Sequence, residues 1–262
     1  MIVSHRGEWK KAPENSIESM LLAAKAGADM VEIDVQKTNH EQLYLMHDDT
    51  TDRMTNRVGG TTTVGTEEFE TLFLRTNDGG ADAALTNIQV PTLRAALEAV
   101  RGKIHLNIDT KHRRDLEAVG ELVHEMDMQD QVLIKMVIDP ANPDMSILDA
   151  SWYKSLVFMP VLLNPNPGEM ADDAVRIAQL FHAPILEISF HSLNELKDTF
   201  EKTSKLGIRL WCNTLNEEHP LGFSDQRALT NPEEVWGTLL RAGIGAIQTD
   251  HTTSLSRFIG RC

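Results

Sequence analysis

Cysteine is nearly missing from this 262-residue chain: it has two, Cys212 and Cys262. That is too few for a disulfide framework or a thiolate metal cluster. No run approaches eighteen consecutive apolar residues, which excludes a membrane-spanning helix. The first residues, Met1-Ile2-Val3-Ser4-His5, lack the basic and apolar regions of a secretory leader, so the expected location is the cytoplasm. Basic residues are also in short supply, 25 against 39 acidic ones, for a net charge of −14. This excludes a surface that tracks a nucleic-acid backbone or an anionic membrane. An anionic small molecule remains open as substrate, because a divalent cation and one or two buried basic residues can reverse the sign locally. Aromatics are sparse at 5%, yet the hydrophobic fraction of 41% suffices for a substantial core.

Short apolar runs alternate with longer amphipathic stretches along the whole chain. Eight runs read as strands: Ile2–His5, Met30–Val35, Ile104–Asp109, Val132–Lys135, Leu156–Pro160, Ile185–Ile188, Ile208–Cys212 and Ala246–Thr249. Helical patterns lie between them, as in Ser16–Lys25, Leu116–Met126, Asp172–Phe181, Leu193–Lys205 and Pro232–Arg241. Strand–helix alternation implies parallel pairing, and eight units in this length imply a closed (β/α)8 TIM barrel. Gly27 and Gly207 stand where helix C-caps are expected. A ninth run, Leu43–Met46, follows the second strand too closely for a helical crossover, so it must return antiparallel as a hairpin. With the turn near His40-Glu41, facing residues have numbers summing to roughly 79–81, which brings His47 back beside Glu32 and Asp34. Residues 50–90, rich in Thr, Gly and Asp and bounded by Pro91, read as an insertion on the catalytic face. The expectation is one barrel domain over residues 1–262 with that insertion after the hairpin of the second strand.

Catalytic groups of such barrels sit at the C-terminal ends of strands. Those ends carry His5-Arg6-Gly7, Glu32 with Asp34, Asp109 with Lys111, and, through the hairpin, His47-Asp48. The i, i+2 spacing places each pair on one face of its strand. Three carboxylates converging on one mouth repel each other unless a cation lies among them, and hard oxygen ligands favour Mg²⁺ or Ca²⁺. Two histidines there can share general acid and general base work. Arg6 offers paired donors to phosphoryl oxygens and Lys111 a point charge. Taken singly these motifs have ordinary readings, as turns or solvated loops; together they suit phosphoryl transfer from a diester. Glu187 is either a neighbour of the site or a salt-bridged structural residue. The remaining histidines (40, 105, 112, 124, 182, 191, 219 and 251) read as structural or surface residues.

Together, His5-Arg6-Gly7, Pro13-Glu14-Asn15-Ser16, Glu32-Ile33-Asp34-Val35 and His47-Asp48 resemble the start of glycerophosphodiester phosphodiesterases. Pro91-Thr92-Leu93, Asn107-Ile108-Asp109-Thr110-Lys111, Trp211-Cys212-Asn213-Thr214 and Ile247-Gln248-Thr249-Asp250 extend the likeness over nearly the whole chain. The resemblance implies His5 and His47 as the acid–base pair and one Mg²⁺ or Ca²⁺ ion on Glu32, Asp34 and Asp109. It places Arg6, Lys111 and Trp211 on the substrate, and it implies cleavage of diesters such as glycerophosphocholine to glycerol 3-phosphate and an alcohol. Three positions depart from the family's pattern. Asp109 stands for the usual Glu, one methylene shorter; His40-Glu41 replaces an Asp-Gly hairpin turn; and Asn213 lies one place earlier than in some relatives. Other diesters, such as a sugar phosphodiester or a lysophospholipid, could undergo the same chemistry. A metal- or phosphate-binding module without catalysis and a metal-dependent barrel isomerase are the readings of other classes. The partner expected is a small phosphodiester, with no nucleic acid and no stable membrane insertion; association of copies through outer helices is compatible with the sequence.

Overall fold

The computed structural model describes residues 1–163, 166, 168–215 and 221–261. His219 and Cys262, read above as a structural or surface histidine and as part of the cysteine count, lie outside them. In chain order the elements are β1 (Ile2–His5), α1 (Ile17–Lys25), β2 (Met30–Lys37), β3 (Leu43–Leu45), α2 (Thr66–Phe69), β4 (Phe73–Arg75), β5 (Leu85–Gln89), α3 (Leu93–Val100), β6 (His105–Thr110) and α4 (Leu116–Glu125). There follow β7 (Val132–Val137), β8 (Val157–Leu162), α5 (Met170–Leu180), β9 (Ile185–Ile188), α6 (Leu193–Ser204), β10 (Arg209–Asn213), α7 (Asp225–Thr230), α8 (Thr238–Arg241), β11 (Ile244–Thr249) and α9 (Thr252–Phe258).

Eight parallel strands close on themselves in the order β1, β2, β6, β7, β8, β9, β10, β11 and back to β1, with β3 running antiparallel on β2. All eight strands expected from sequence are present, with ends displaced by a residue or two. Helix starts follow local chemistry: the hydroxyls of Ser16, Thr92 and Ser192 accept from Ser19 N, Ala95 N and Glu195 N at the heads of α1, α3 and α6. Gly27 and Gly207 take positive φ behind α1 and α6, as expected of C-caps. Between β7 and β8 the crossover has only a 3₁₀ turn, Met145–Asp149; Trp152 instead fills the space there, against Gly120 of α4, where an added Cβ would lie 2.3 Å from the indole.

Alternation along the strands stacks the barrel interior in layers. At the bottom, Val3, Met30, Leu133, Met159, Ile185, Trp211 and Ala246 form a closed apolar plug. Two residues further along, the inward positions of six of these seven strands turn polar: His5, Glu32, Lys135, Glu187, Asn213 and Gln248, while β8 keeps Val161. The larger core lies between the strands and the outer helices.

The hairpin register is the one expected: Val35 faces Leu45, Gln36 faces Tyr44 and Lys37 faces Leu43, each pair summing to 80. Its turn closes without glycine because Glu41 itself adopts φ +62° and the Thr38 hydroxyl accepts from His40 N and Gln42 N. The insertion builds a two-stranded sheet, β4 with β5, and a small core of its own from Met46, Met54, Val64, Leu72, Leu74 and Val90 against Tyr44. It rejoins the barrel where Leu45 N donates to Pro91 O and Tyr44 pairs with Thr92. Among the described residues no helix is long and apolar enough to cross a membrane.

Candidate active site

Strand register brings the carboxylates together. His5 is level with Glu32 across β1 and β2, and Asp34 is level with Asp109 across β2 and β6. One oxygen from each of Glu32, Asp34 and Asp109 lies within 4.8 Å of the others; the first two are buried and the third half-buried. The cations expected beside them are in place. Lys111 Nζ is 2.7 Å from Asp34 Oδ1 and 2.9 Å from Asp109 Oδ2, and Arg6 Nε is 3.1 Å from Asp34 Oδ2. Asn15 donates from its side chain to Asp34 Oδ2 at 2.8 Å and accepts from Asp34 N at 3.0 Å, which fixes the carboxylate on its strand.

The two buried carboxyl groups are driven apart electrostatically. Burial and the nearby Asp34 charge push Glu32 above its ordinary range. Burial acts on Asp34 in the same sense, but Lys111 and Arg6 overcome it and hold Asp34 well below. Glu32 Oε2 is buried with no hydrogen-bond partner among the described residues. Such an orphan costs about 1–3 kcal/mol, and a cation among the three carboxylates would satisfy it. The all-oxygen donor set and this orphan fit a divalent metal site.

Each expected catalytic histidine has a carboxylate on Nδ1. His5 Nδ1 is 2.8 Å from Asp250 Oδ1, which also accepts from Trp9 Nε1 at 2.6 Å. His47 Nδ1 is 2.7 Å from Asp48 Oδ1. A carboxylate there selects the tautomer and leaves Nε2 free for proton transfer. Burial lowers His47 below the ordinary histidine value, with Asp34 acting against it. The His5 loop depends on Gly7 at φ +84°, because a Cβ there would fall 2.3 Å from Ser19 Oγ, which itself donates to Arg6 O.

Thus His5, Arg6, Glu32, Asp34, His47, Asp109 and Lys111 converge on one mouth. Trp211 does not join them. Its side chain is fully buried in the apolar plug, two positions below the mouth, and its indole N–H donates to Asn213 Oδ1 at 3.0 Å. Asn213 in turn donates to Glu187 Oε1 at 2.9 Å, so the indole is joined to the polar layer through Asn213. Glu187 proves to be both things left open above: it accepts from Lys135 Nζ at 3.1 Å and so borders the site. His40, His105, His124, His182 and His191 are exposed, and His112 pairs with Asp49 outside the cluster.

Four contributors were not singled out from sequence. Lys135 is buried beside the carboxylates, level with Asp109 across β6 and β7 and 3.5 Å from Glu32 Oε1. A charged residue at an inward position of an apolar strand was the available signal. Asp250 continues the inward parity of Ala246 and Gln248 at the end of Ile247-Gln248-Thr249-Asp250. Glu14 belongs to Pro13-Glu14-Asn15-Ser16; its Oε2 accepts from Arg6 Nη1 at 3.0 Å. Arg53, at the root of the insertion, belongs to no periodic pattern.

A model of the glycerophosphoryl diester phosphodiesterase family matches residues 5–254. A glycerophosphodiester phosphodiesterase of Caldanaerobacter subterraneus is 32% identical over 265 aligned positions, covering 99% of this chain and 97% of that one. Among solved structures, a glycerophosphoryl diester phosphodiesterase from Parabacteroides distasonis superposes with a TM-score of 0.78 at 23% identity, over 99% of this chain and 85% of that one. A phosphodiesterase from Oleispira antarctica, solved with its product sn-glycerol-3-phosphate, superposes with a TM-score of 0.71 at 21% identity, over 99% and 96%. At these identities the two structures establish the shared barrel fold.

Proposed function

The chain belongs to the glycerophosphoryl diester phosphodiesterase family, enzymes that hydrolyse phosphoric diesters, and from that premise we propose that it cleaves small glycerophosphodiesters such as glycerophosphocholine to glycerol 3-phosphate and an alcohol. The observation that carries this reading is the pair of carboxylate-bound histidines, His5 and His47, around one carboxylate triad with Arg6 and Lys111 beside it. In this proposal residues 1–262 form one catalytic unit, with residues 50–90 an insertion at its mouth.

Arg6 and Lys111 hold the two non-bridging phosphoryl oxygens, Arg by its fork and Lys by its charge. Glu32, Asp34 and Asp109 would hold Mg²⁺ or Ca²⁺, which when bound stabilises negative charge developing on phosphorus-bound oxygen. His47, kept neutral by burial, takes the proton of the neighbouring glycerol hydroxyl as that oxygen bonds to phosphorus. The bond from phosphorus to the alcohol oxygen breaks, and the departing oxygen takes a proton from His5, whose ring Asp250 holds at Nδ1. Water then opens the cyclic phosphate in the opposite sense. His5 accepts the water proton, the water oxygen bonds to phosphorus, and His47 returns its proton to the glycerol oxygen.

The test is release of glycerol 3-phosphate from glycerophosphocholine with Mg²⁺, Ca²⁺ or EDTA, run beside His5→Ala. Metal-dependent turnover that disappears in the variant is the expected result. Turnover of an aryl phosphodiester alone would keep the chemistry and move the substrate to another alcohol diester, such as a sugar phosphodiester or lysophospholipid. Metal binding without turnover of either substrate would sink the hydrolase reading in favour of a binding module.

A further inference from the structure

Arg53 stands outside the barrel strands, in the insertion that follows β3, yet its guanidinium reaches both halves of the proposed apparatus. Nε donates to Asp48 Oδ2 at 2.7 Å and Nη2 to Asp48 Oδ1 at 2.9 Å, the parallel pair that a carboxylate and a guanidinium make best. The same Nη2 donates to Glu14 Oε1 at 2.7 Å, and Nη1 donates to the carbonyl of Asp78. Asp48 in turn holds His47, and the buried Glu14 holds Arg6. Arg6 and His47 come from the first strand and from the hairpin, so nothing in the barrel ladder joins them directly. Arg53 closes that gap.

The insertion keeps Arg53 in place through its backbone. Gly80 N donates to Arg53 O at 2.8 Å, Arg75 N to Met54 O at 2.7 Å, and Glu14 N to Asn77 O at 2.8 Å. An added Cβ on Gly79 would fall 2.3 Å from Arg53 O, so the loop packs against this residue with no room to spare.

We propose that Arg53 is a positioning residue for the reaction. It orients His47 through Asp48 and Arg6 through Glu14, and so holds the acid–base ring and the phosphate-binding guanidinium in one register. The proposal rests on the roles given above to His47 and Arg6. It makes the root of the insertion part of the catalytic apparatus rather than a device for substrate choice alone. Lysine cannot replace Arg53, because one ammonium does not make the parallel pair to Asp48 while also reaching Glu14 and Asp78. The groups facing His47 are Asp48 at Nδ1, Asp34 from β2, Arg6 from the loop after β1 and Lys111 from the end of β6, with Arg53 behind Asp48. Removing Arg53 leaves Asp48 free to turn away from His47 Nδ1, and without that hydrogen bond His47 gives up its proton at lower pH.

The experiment uses the full chain with Mg²⁺ and glycerophosphocholine, comparing wild type, Arg53→Ala and Arg53→Lys. Arg53→Ala is expected to lose about 10- to 100-fold in kcat, the usual scale for partners that orient a reacting group. The His47 limb of its pH profile should move to lower pH, and added guanidinium should restore part of the rate. Arg53→Lys should stay impaired. Calorimetric Mg²⁺ affinity should be unchanged in both variants, showing that the barrel and its carboxylates are intact. Nitrogen NMR of the His47 ring, assigned with His47→Gln, should show a single tautomer in wild type and a mixture in Arg53→Ala. Wild-type kcat, pH limb and ring signals in Arg53→Ala would overturn the proposal. So would a loss of rate with an unmoved limb and no response to guanidinium. If wild type itself does not turn over the diester, the reaction reading falls, and the ring signals alone decide the role of Arg53.

Discussion

Lys135 Nζ lies 3.5 Å from Glu32 Oε1 and 3.1 Å from Glu187 Oε2, in the middle of the barrel and out of reach of solvent. Burial works to lower the ammonium pKa, but Glu187 and Glu32 overcome this and raise it above the lysine range. Lys135 is therefore a fixed positive charge beside the carboxylate triad. Lys135→Met would leave Glu32 and Glu187 buried without it, at a cost of about 3–5 kcal/mol. In a chain of this size that lowers Tm by about 10 °C. Mg²⁺ or Ca²⁺ should offset part of the loss, so the metal-induced rise in Tm should be larger in the variant than in wild type. An unchanged metal-free Tm would mean that Lys135 does not balance these carboxylates.

Asp34 sits at the meeting point of Arg6, Lys111 and Asn15, with 1% of its surface exposed. Asp34→Asn keeps the shape and the link to Asn15 but removes the charge that Lys111 and Arg6 share. Metal-induced stabilisation in thermal unfolding should disappear, and kcat should fall by about 10²–10³-fold, the scale for losing one group aimed at developing charge. Normal metal stabilisation in Asp34→Asn would take this residue out of the metal site.

Asp48 supplies a pH prediction. Burial acts against it, but Arg53 and His47 pull its carboxyl down to about 2. The unfolded value is about 3.9, so the folded pKa lies below the unfolded one. The associated stability is fully present above about pH 4 and is lost as pH falls from there through 2. Urea midpoints measured between pH 5 and pH 2.5 should therefore fall more steeply in wild type than in Asp48→Asn. Parallel slopes would show that the Arg53–Asp48 pair contributes nothing to acid stability.

What the sequence revealed follows periodicity. An apolar run bearing Glu32 and Asp34 at period two marks both a strand and its inward face, and the same arithmetic aligned Val35 with Leu45 across the hairpin. Depth along a strand is harder to read. Trp211 and Asn213 share a face, but two residues separate them by roughly 7 Å, the distance between the apolar plug and the polar layer, and the resemblance that assigns Trp211 to the substrate carries no information on that depth. Lys135 was legible in principle as a charge inside Val132–Val137. Arg53 was not, because its partners Glu14, Asp48 and Asp78 meet it only once a weakly periodic insertion has folded back on the barrel. The β7–β8 crossover escaped periodicity too, since a single buried tryptophan does the packing that a helix does elsewhere.

Asp109 offers the last test, at the triad position where the family resemblance implies a Glu, one methylene longer. Its Oδ2 accepts from Lys111 at 2.9 Å and lies 3.9 Å from Lys135, so two ammonium groups face the oxygen a cation would share. Asp109 is also the most exposed of the triad, at 26% of its side chain. Asp109→Glu lengthens the side chain by one methylene, about 1.5 Å, which gives its carboxylate a longer reach to the other two ligands. Mg²⁺ accepts ligands only near 2.0–2.1 Å, whereas Ca²⁺ tolerates about 2.3–2.6 Å, so the gain should be greater for Mg²⁺. Isothermal titration should show Mg²⁺ bound about 10-fold more tightly by the variant, equivalent to about 1.4 kcal/mol, with a smaller change for Ca²⁺. Weaker Mg²⁺ binding would instead mean that Lys111 and Lys135 set the length of this side chain, and that the native aspartate is matched to two lysines as much as to a metal.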